Sequence, residues 1–334
     1  MNILITGCAG FLGFSLAKKL LSQGNYNILG IDNINKYYSI KLKKKRLSIL
    51  KQYKKFKFYK YDLLEKNKLE KLFATNDIKI VFHFAAQAGV RYVITNPNKF
   101  ITSNIIGFNN LLLVTKNKNI KNFFYASSSS VYGDQKRYPV EEKFNLMPKN
   151  IYGLSKKFNE EMIILEKSQK TKYIGLRFFT VYGEWGRPDM LILKFLNYAD
   201  KNKNFLLNNN GDYWRDFTYI DDVVEILSKL LNKKFRQHEI FNICNGNPIH
   251  VGSLVNYLSK KINFTKIISQ KKNNIEVYKT HGNNKKLMNK ISKKKFYDCY
   301  GRLDKIINWY DKYKNLIYFF YKIINFLLFF FCLF

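Results

Sequence analysis

Asn2–Gly13 reads NILITGCAGFLG. A five-residue apolar run enters a turn whose glycines fall at G-x-x-G-x-x-G (Gly7, Gly10 and Gly13), and apolar residues at helical spacing follow. That order predicts a buried strand, a tight turn and the start of a helix. Gly7 permits the turn, Gly10 lets backbone approach a pyrophosphate, and Gly13 lets helix and strand pack closely. The helix N-terminus then offers free N–H groups and partial positive charge to phosphate. A plain turn would use the same glycines, so the second strand matters. Asn27–Ile31 ends at Asp32, 19 residues beyond Gly13. A carboxylate there accepts both ribose hydroxyls and repels a 2′-phosphate, which selects NAD over NADP. Phe11, Leu12 and Asn33 join the candidate cofactor site.

Further along, Phe56–Lys60, Lys79–Phe84, Asn122–Ala126 and Lys172–Leu176 read as more buried strands. The stretches 11–23, 37–50, 64–74, 98–117 and 152–167 read as the connecting helices. This alternation predicts an α/β fold, a doubly wound parallel (Rossmann) sheet over residues 1–177, completed by segments within 213–245. Beyond Gly183 the rhythm breaks, and 178–315 reads mainly as a smaller substrate-binding lobe with helices near 190–200, 220–231 and 251–262. There is no internal repeat.

Composition excludes some classes. At 334 residues the chain fits one large α/β domain with a lobe. Four widely spaced cysteines and four scattered histidines lack metal-ligand spacing, so neither a metal site nor a disulfide framework is expected. These features suit a reducing cytoplasm, and no secretory signal precedes Ile3. The net charge of +34 invites a polyanion partner. The lysine surplus, however, accompanies many Asn, Ile, Phe and Tyr residues, whose codons are rich in A and T. No selected nucleic-acid partner is therefore expected, and Lys41–Arg46 (KLKKKR) reads as a solvated helix face or a basic patch. The last 19 residues, Leu316–Phe334, are almost wholly apolar behind Lys312 and Lys314. Three readings stand for this tail: contact with the inner face of a membrane, an aromatic helix packed on the body, or a tolerated extension.

The chemistry centres on Tyr152-Gly-Leu-Ser-Lys156. Residues four apart share a helix face, so the ammonium can sit near the phenol. A cation there, helped by a positive nicotinamide ring, lowers the phenol pKa and prepares it to take a proton from a sugar hydroxyl. Tyr-x-x-x-Lys alone is common; the serine run Ala126–Ser130 at the end of the fifth strand strengthens it. A serine run is otherwise a solvated turn.

Taken together, Thr6–Gly13, His83–Ala88 (HFAAQA), Ser127–Gly133 (SSSSVYG), Tyr152–Lys156 and Arg215–Asp222 (RDFTYIDD) resemble the extended short-chain dehydrogenase/reductase family over about 310 residues. Ala85–Tyr92 (AAQAGVRY), Arg177–Gly183 (RFFTVYG) and Trp185–Met190 (WGRPDM) are similar to the UDP-glucuronate 4-epimerases within it. The resemblance implies that Tyr152 is the acid/base, that Lys156 tunes it and binds the nicotinamide ribose, and that Ser128 hydrogen-bonds the reacting O4. It places Asp62 and Leu63 beside the adenine, with Ala85, Ala86 and Asn104 along the cofactor groove. Related dehydratases and decarboxylases carry acidic residues where this chain has Ser129 and Ser130, which leaves epimerisation through a 4-keto sugar.

A C6 carboxylate wants donors and positive charge, and Arg187, Thr180 and the hydroxyls of Ser127, Ser128 and Ser129 are the candidates. Arg187 has a second reading, a surface guanidinium paired to Asp189. Arg215, flanked by Arg91, resembles the arginine that grips the UDP diphosphate; its other reading is an ion pair with Asp216 or Asp221. Asn274–Val277 (NIEV) and Thr280–Asn283 depart from the family pattern, with Glu276 replacing an aspartate at the uridine ribose and His281 replacing a tyrosine. The expected activity is NAD-dependent 4-epimerisation of a UDP-uronic acid. A UDP-glucose or UDP-N-acetylhexosamine 4-epimerase, and a non-catalytic nucleotide-binding scaffold at a membrane, are the alternatives. The resemblance also implies a homodimer paired through the helices at 98–117 and 152–167.

Overall fold

A computed structural model describes residues 1–89, 92–166, 170–271, 276–292 and 295–317. Its strands are β1 (Asn2–Thr6), β2 (Asn27–Ile31), β3 (Phe56–Tyr59), β4 (Ile78–His83), β5 (Asn122–Ser128), β6 (Lys172–Phe178), β7 (Thr180–Tyr182), β8 (Phe205–Asn208), β9 (Trp214–Tyr219), β10 (His238–Ile243), β11 (Pro248–His250) and β12 (Ile267–Gln270). Seven of them form one parallel sheet in the order β10-β6-β5-β4-β1-β2-β3. Smaller sheets, β11-β9-β7 and β12-β8, follow the chain reversal after Phe178.

The helices are α1 (Phe11–Ser22), α2 (Ile40–Leu50), α3 (Lys66–Thr75), α4 (Tyr92–Thr95), α5 (Pro97–Phe100), α6 (Gly107–Thr115), α7 (Ile151–Leu165), α8 (Leu191–Asp200), α9 (Ile220–Leu230), α10 (Val251–Lys261), α11 (Lys285–Ile291) and α12 (Leu303–Tyr313). Strand side chains alternate between faces. Ile3 and Ile5 of β1 therefore join one core with Phe14, Leu42 and Ile226, while Leu4 joins a second with Leu69, Phe108 and Ile163. A strand covered on both faces must be apolar throughout, which is why β1 could be read directly from sequence. The order of winding reverses between β1 and β4, and in such sheets ligands bind at that crevice, beyond the carboxyl ends of the strands.

Three sequence expectations are refined by the structure. The helix expected over 98–117 runs unbroken over 97–115, but α5 passes through a π-helical stretch, Ile101–Ile106, before α6. The widened turn presents the Asn104 carbonyl to Asn159 Nδ2 at 2.7 Å. KLKKKR is not a solvated face throughout, because Lys43 and Arg46 are only 4 % and 0 % exposed while Lys41, Lys44 and Lys45 face solvent. Residues 42, 43, 46, 47 and 50 share the inward stripe of α2. Finally, the start of the apolar tail is packed on the body: Ser39 Oγ donates to the Leu316 carbonyl at 2.5 Å and Ile317 is buried. The remainder of the tail, like Arg91, lies outside the described residues. No helix among the described residues is long and apolar enough to cross a membrane.

Candidate active site

A cleft of about 800 Å³ opens at the carboxyl ends of the central strands. From the ends of β1, β2 and β4 come Gly7, Gly10, Phe11, Leu12, Gly13, Asp32, Asn33, Ala85 and Ala86, with Asp62 and Leu63 from the segment after β3. From β5 and α7 come Ser127, Ser128, Ser129, Tyr152 and Lys156; from the chain beyond Phe178 come Thr180, Arg187, Arg215 and Glu276. Asn104 does not line it. That side chain is buried behind the wall, where Oδ1 accepts from the Gln87 amide at 2.7 Å and Nδ2 donates to Ser155 Oγ at 3.0 Å.

The glycine turn is packed backbone against backbone. Gly7 has φ +72°, and a Cβ on Gly13 would lie 2.3 Å from the Gly7 carbonyl oxygen. Helix α1 begins at Gly10 with no side-chain cap, so its first amides are left for an anion. Asp32 accepts the Ala9 amide at 3.1 Å and the Ile34 amide at 2.8 Å, which fixes its carboxylate at the end of β2. Asn33 Nδ2 donates to Asp62 Oδ2 at 2.7 Å, and Thr6 Oγ1 accepts the Ala85 amide at 3.2 Å. An uncapped helix terminus over a glycine-rich turn, with a carboxylate one strand away, fits the pyrophosphate and ribose of NAD.

Tyr152 lies in the first turn of α7, where Asn150 caps the helix by accepting the Gly153 amide at 2.9 Å. A Cβ on Gly153 would sit 2.5 Å from the Ser130 carbonyl oxygen, so the missing side chain lets the helix press against the serine turn. There the Ser128 hydroxyl accepts the Ser130 amide at 3.1 Å and hydrogen-bonds the Tyr152 phenol. Burial pushes the phenol pKa up, and Ser128 and the Arg187 cation pull it back only in part. Burial also lowers Lys156 to about 8.

On the sugar side the candidates are already engaged with one another. Ser127 Oγ donates to Glu160 Oε1 at 2.5 Å, so its proton is not available to a ligand. Arg187 forms a fork on Asp189, at 3.0 Å through Nε and 2.5 Å through a terminal nitrogen. Tyr37 donates to the same carboxylate at 2.9 Å. Burial opposes ionisation of both partners, yet their mutual attraction holds Asp189 below the usual carboxylate range and Arg187 above its own. Arg187 is thus paired to Asp189, and the pair lines the cleft instead of lying on an open surface loop. Arg215 pairs with neither Asp216 nor Asp221 but faces Glu276 at 3.6 Å. Asp216 is buried instead among the amides of Asn245, Gly246 and Gly282, and burial raises its pKa to about 6.

Residues 3–244 match the NAD dependent epimerase/dehydratase family. The chain belongs to that family. Among its relatives, Protein CapI of Staphylococcus aureus is 37 % identical over 94 % of this chain and 99 % of its own length. UDP-glucuronate 4-epimerase 3 of Arabidopsis thaliana is 36 % identical over 94 % of this chain and 77 % of the plant protein. The UDP-glucuronic acid 4-epimerase of Bacillus cereus, solved with UDP-glucuronic acid and NAD, superposes with a TM-score of 0.88 at 28 % identity, covering 93 % of this chain and 99 % of that one. A UDP-glucose 4-epimerase of Thermotoga maritima with UDP-glucose reaches 0.84 at 25 % identity, over 93 % and 99 % of the two chains.

Within this family member, several residues behind the cleft gave no local signal in the sequence. Glu160 and Arg177, 2 % and 3 % exposed, form a buried bidentate pair at 2.9 and 2.7 Å beneath the serine turn. Arg177 also donates to Tyr132 Oη at 2.8 Å and to the Glu142 carbonyl at 2.9 Å. One clue to Glu160 was present. Tyr152, Lys156 and Glu160 recur every four residues, a polar stripe that faces inward, while Leu154, Phe158 and Leu165 of the same helix are exposed. Helix α7 is inverted, polar inside and apolar outside.

Proposed function

We propose that this protein is an NAD-dependent 4-epimerase of a UDP-uronic acid, interconverting UDP-glucuronate and UDP-galacturonate through a transient 4-keto sugar. The observation that carries this reading is the Tyr152 phenol, hydrogen-bonded by Ser128 and one helical turn before Lys156, opening into one cleft with Lys156, the uncapped terminus of α1 and Arg187. When bound, NAD supplies a reversible acceptor for the hydrogen on C4. The side chains of this chain handle the proton. Tyr152 takes it from O4 as the alcohol becomes a ketone and returns it when the turned-over sugar is reduced. Ser128 holds O4 against the phenol, and Lys156 supplies positive charge below its pKa of about 8. With Ser129 and Ser130 where a dehydratase would carry acids, no carboxyl group stands ready to eliminate water. Arg187, steadied by Asp189, and the Thr180 and Ser129 hydroxyls are assigned to the C6 carboxylate, and Arg215 with Glu276 to the UDP portion.

Incubation of purified protein with UDP-glucuronate and, separately, with UDP-glucose, followed by NMR of the C4 proton, tests this. Conversion of the uronate is expected. Turnover of the neutral sugar alone would establish the neighbouring reading, which the Arg187–Asp189 pairing favours because it already neutralises the guanidinium.

We also propose a homodimer. Leu154 and Phe158 of α7, with Ile106 and Leu113 of the facing stretch, are 45–55 % exposed, an apolar face that a second copy would cover. Light scattering should give twice the chain mass, and Leu154→Glu with Phe158→Glu should halve it. Membrane contact through the apolar run after Ile317 remains a proposal from composition; fractionation of cells expressing the chain with and without that run tests it.

A further inference from the structure

Arg46 is a cation with nowhere to go. It is 0 % exposed, and none of its four hydrogen-bond acceptors is a carboxylate. One terminal nitrogen donates to the Ala9 carbonyl at 2.8 Å and to Tyr38 Oη at 2.7 Å. The other donates to the carbonyls of Trp185 at 2.5 Å and Gly186 at 3.0 Å. Its Nε is buried with no hydrogen-bond partner among the described residues. Nearby Asp32 directs both oxygens to backbone amides. A buried guanidinium bonded to no carboxylate among the described residues is costly, so its retention calls for a reason.

The acceptors supply one. Ala9 sits in the glycine turn, between Gly7 and Gly10, while Trp185 and Gly186 immediately precede Arg187. Trp185 holds the left-handed φ of +60°, a strained value for a bulky residue. That strain persists only because the loop is pinned from several sides. Arg46 holds its carbonyl, and its ring packs on Phe14 of α1 at 5.4 Å and on Trp309 at 5.2 Å. A second tether leaves the same stretch of chain, since Tyr37 donates to the Asp189 carboxylate that orients Arg187.

We propose that Arg46 is a positioning residue that couples the two halves of the cleft, so that filling the dinucleotide side fixes the guanidinium awaiting the sugar carboxylate. A pyrophosphate over the glycine turn offsets the buried charge of Arg46. Any settling of the Ala9 carbonyl is passed through one rigid fork to the carbonyls of Trp185 and Gly186. By linkage the effect runs both ways: a bound UDP-uronate tightens NAD, and NAD tightens the uronate. A neutral sugar makes no demand on Arg187 and gains less.

The inference rests on the proposed uronate activity, so the test separates the two. NAD affinity is titrated by fluorescence quenching, with and without saturating UDP-glucuronate or UDP-glucose, in the wild type and in Arg46→Lys. Lysine keeps the charge but cannot reach carbonyls on both sides. Expected is a wild-type tightening of NAD of about 5-fold or more by UDP-glucuronate, lost in the variant. Alongside it, the kcat/KM preference for UDP-glucuronate over UDP-glucose should fall about tenfold, the size of one forked contact to a charged group. Should Arg46→Lys fail to fold, Tyr38→Phe, which removes a side-chain acceptor of the Arg46 fork, carries the test. Loss of one hydrogen bond should raise KM for UDP-glucuronate about fivefold and leave that for UDP-glucose unchanged. A lowered melting temperature with the NAD linkage and substrate preference intact would reduce Arg46 to scaffolding and overturn the proposal. Absence of uronate turnover in the wild type would strike the proposed substrate instead, and linkage between NAD and UDP-glucuronate binding would still be read from the titration.

Discussion

Replacing Glu160 by glutamine should destabilise this protein far more than the single-atom change suggests. The side chain keeps its size, so no cavity forms, but Arg177 loses the only carboxylate bonded to it among the described residues while remaining 3 % exposed. An amide can accept one of the two guanidinium hydrogen bonds and must turn its own N–H₂ toward the other. An orphaned buried charge costs about 3–5 kcal/mol. At about 2.1 cal/mol/K per residue, a chain of this length unfolds with an entropy of about 0.7 kcal/mol/K, so the melting temperature should fall by about 4–7 °C. Because Ser127 donates to the same carboxylate and precedes Ser128 on β5, kcat should also drop while NAD stays bound. Thermal melts of Glu160→Gln, Arg177→Met and the double variant Glu160→Gln with Arg177→Met complete the cycle. The double variant should recover most of the loss, because removing both charges together leaves neither uncompensated. A melting temperature within 2 °C of wild type for Glu160→Gln, or a double variant as unstable as the sum of the singles, would refute the reasoning.

Tyr152→Phe should abolish epimerisation while the protein still carries NAD; near-normal turnover by NMR would remove the phenol from its assigned role. In Gly13→Ala the new Cβ meets the Gly7 carbonyl, which is backbone and cannot step aside. A cost of about 1–3 kcal/mol and loss of co-purified nucleotide are expected, read by melting and by extraction of NAD. Stability should fall on acidification because His83, buried and held by Thr6 at 2.9 Å, has its pKa lowered by burial to about 3. The unfolded imidazole takes up a proton near pH 6.5 and the folded one does not, so this contribution is complete above that value and is lost as pH falls toward 3. Between pH 8 and pH 5 it amounts to about 2 kcal/mol. Denaturant melts of His83→Asn should show that dependence flattened, and an unchanged slope would dismiss His83 as its source.

Much of this protein could be read along the chain because the responsible forces act between near neighbours. Alternating strands and helices, the backbone freedom required at Gly7 and Gly13, the carboxylate closing β2, and the four-residue step from Tyr152 to Lys156 are all local patterns, and β1 to β6 lie within two residues of the strands expected. Local patterning could not decide what each polar group would face. KLKKKR resembles a solvated face, yet Arg46 is buried because α2 lies against the glycine turn and the loop at Trp185. The pairing of Arg187 with Asp189 was open from their spacing, but its place in the cleft and its third member, Tyr37, come from a contact spanning 150 residues. Burial likewise pushes the Tyr152 phenol up. Desolvation depends on everything packed around a group, and only the assembled tertiary structure sets that.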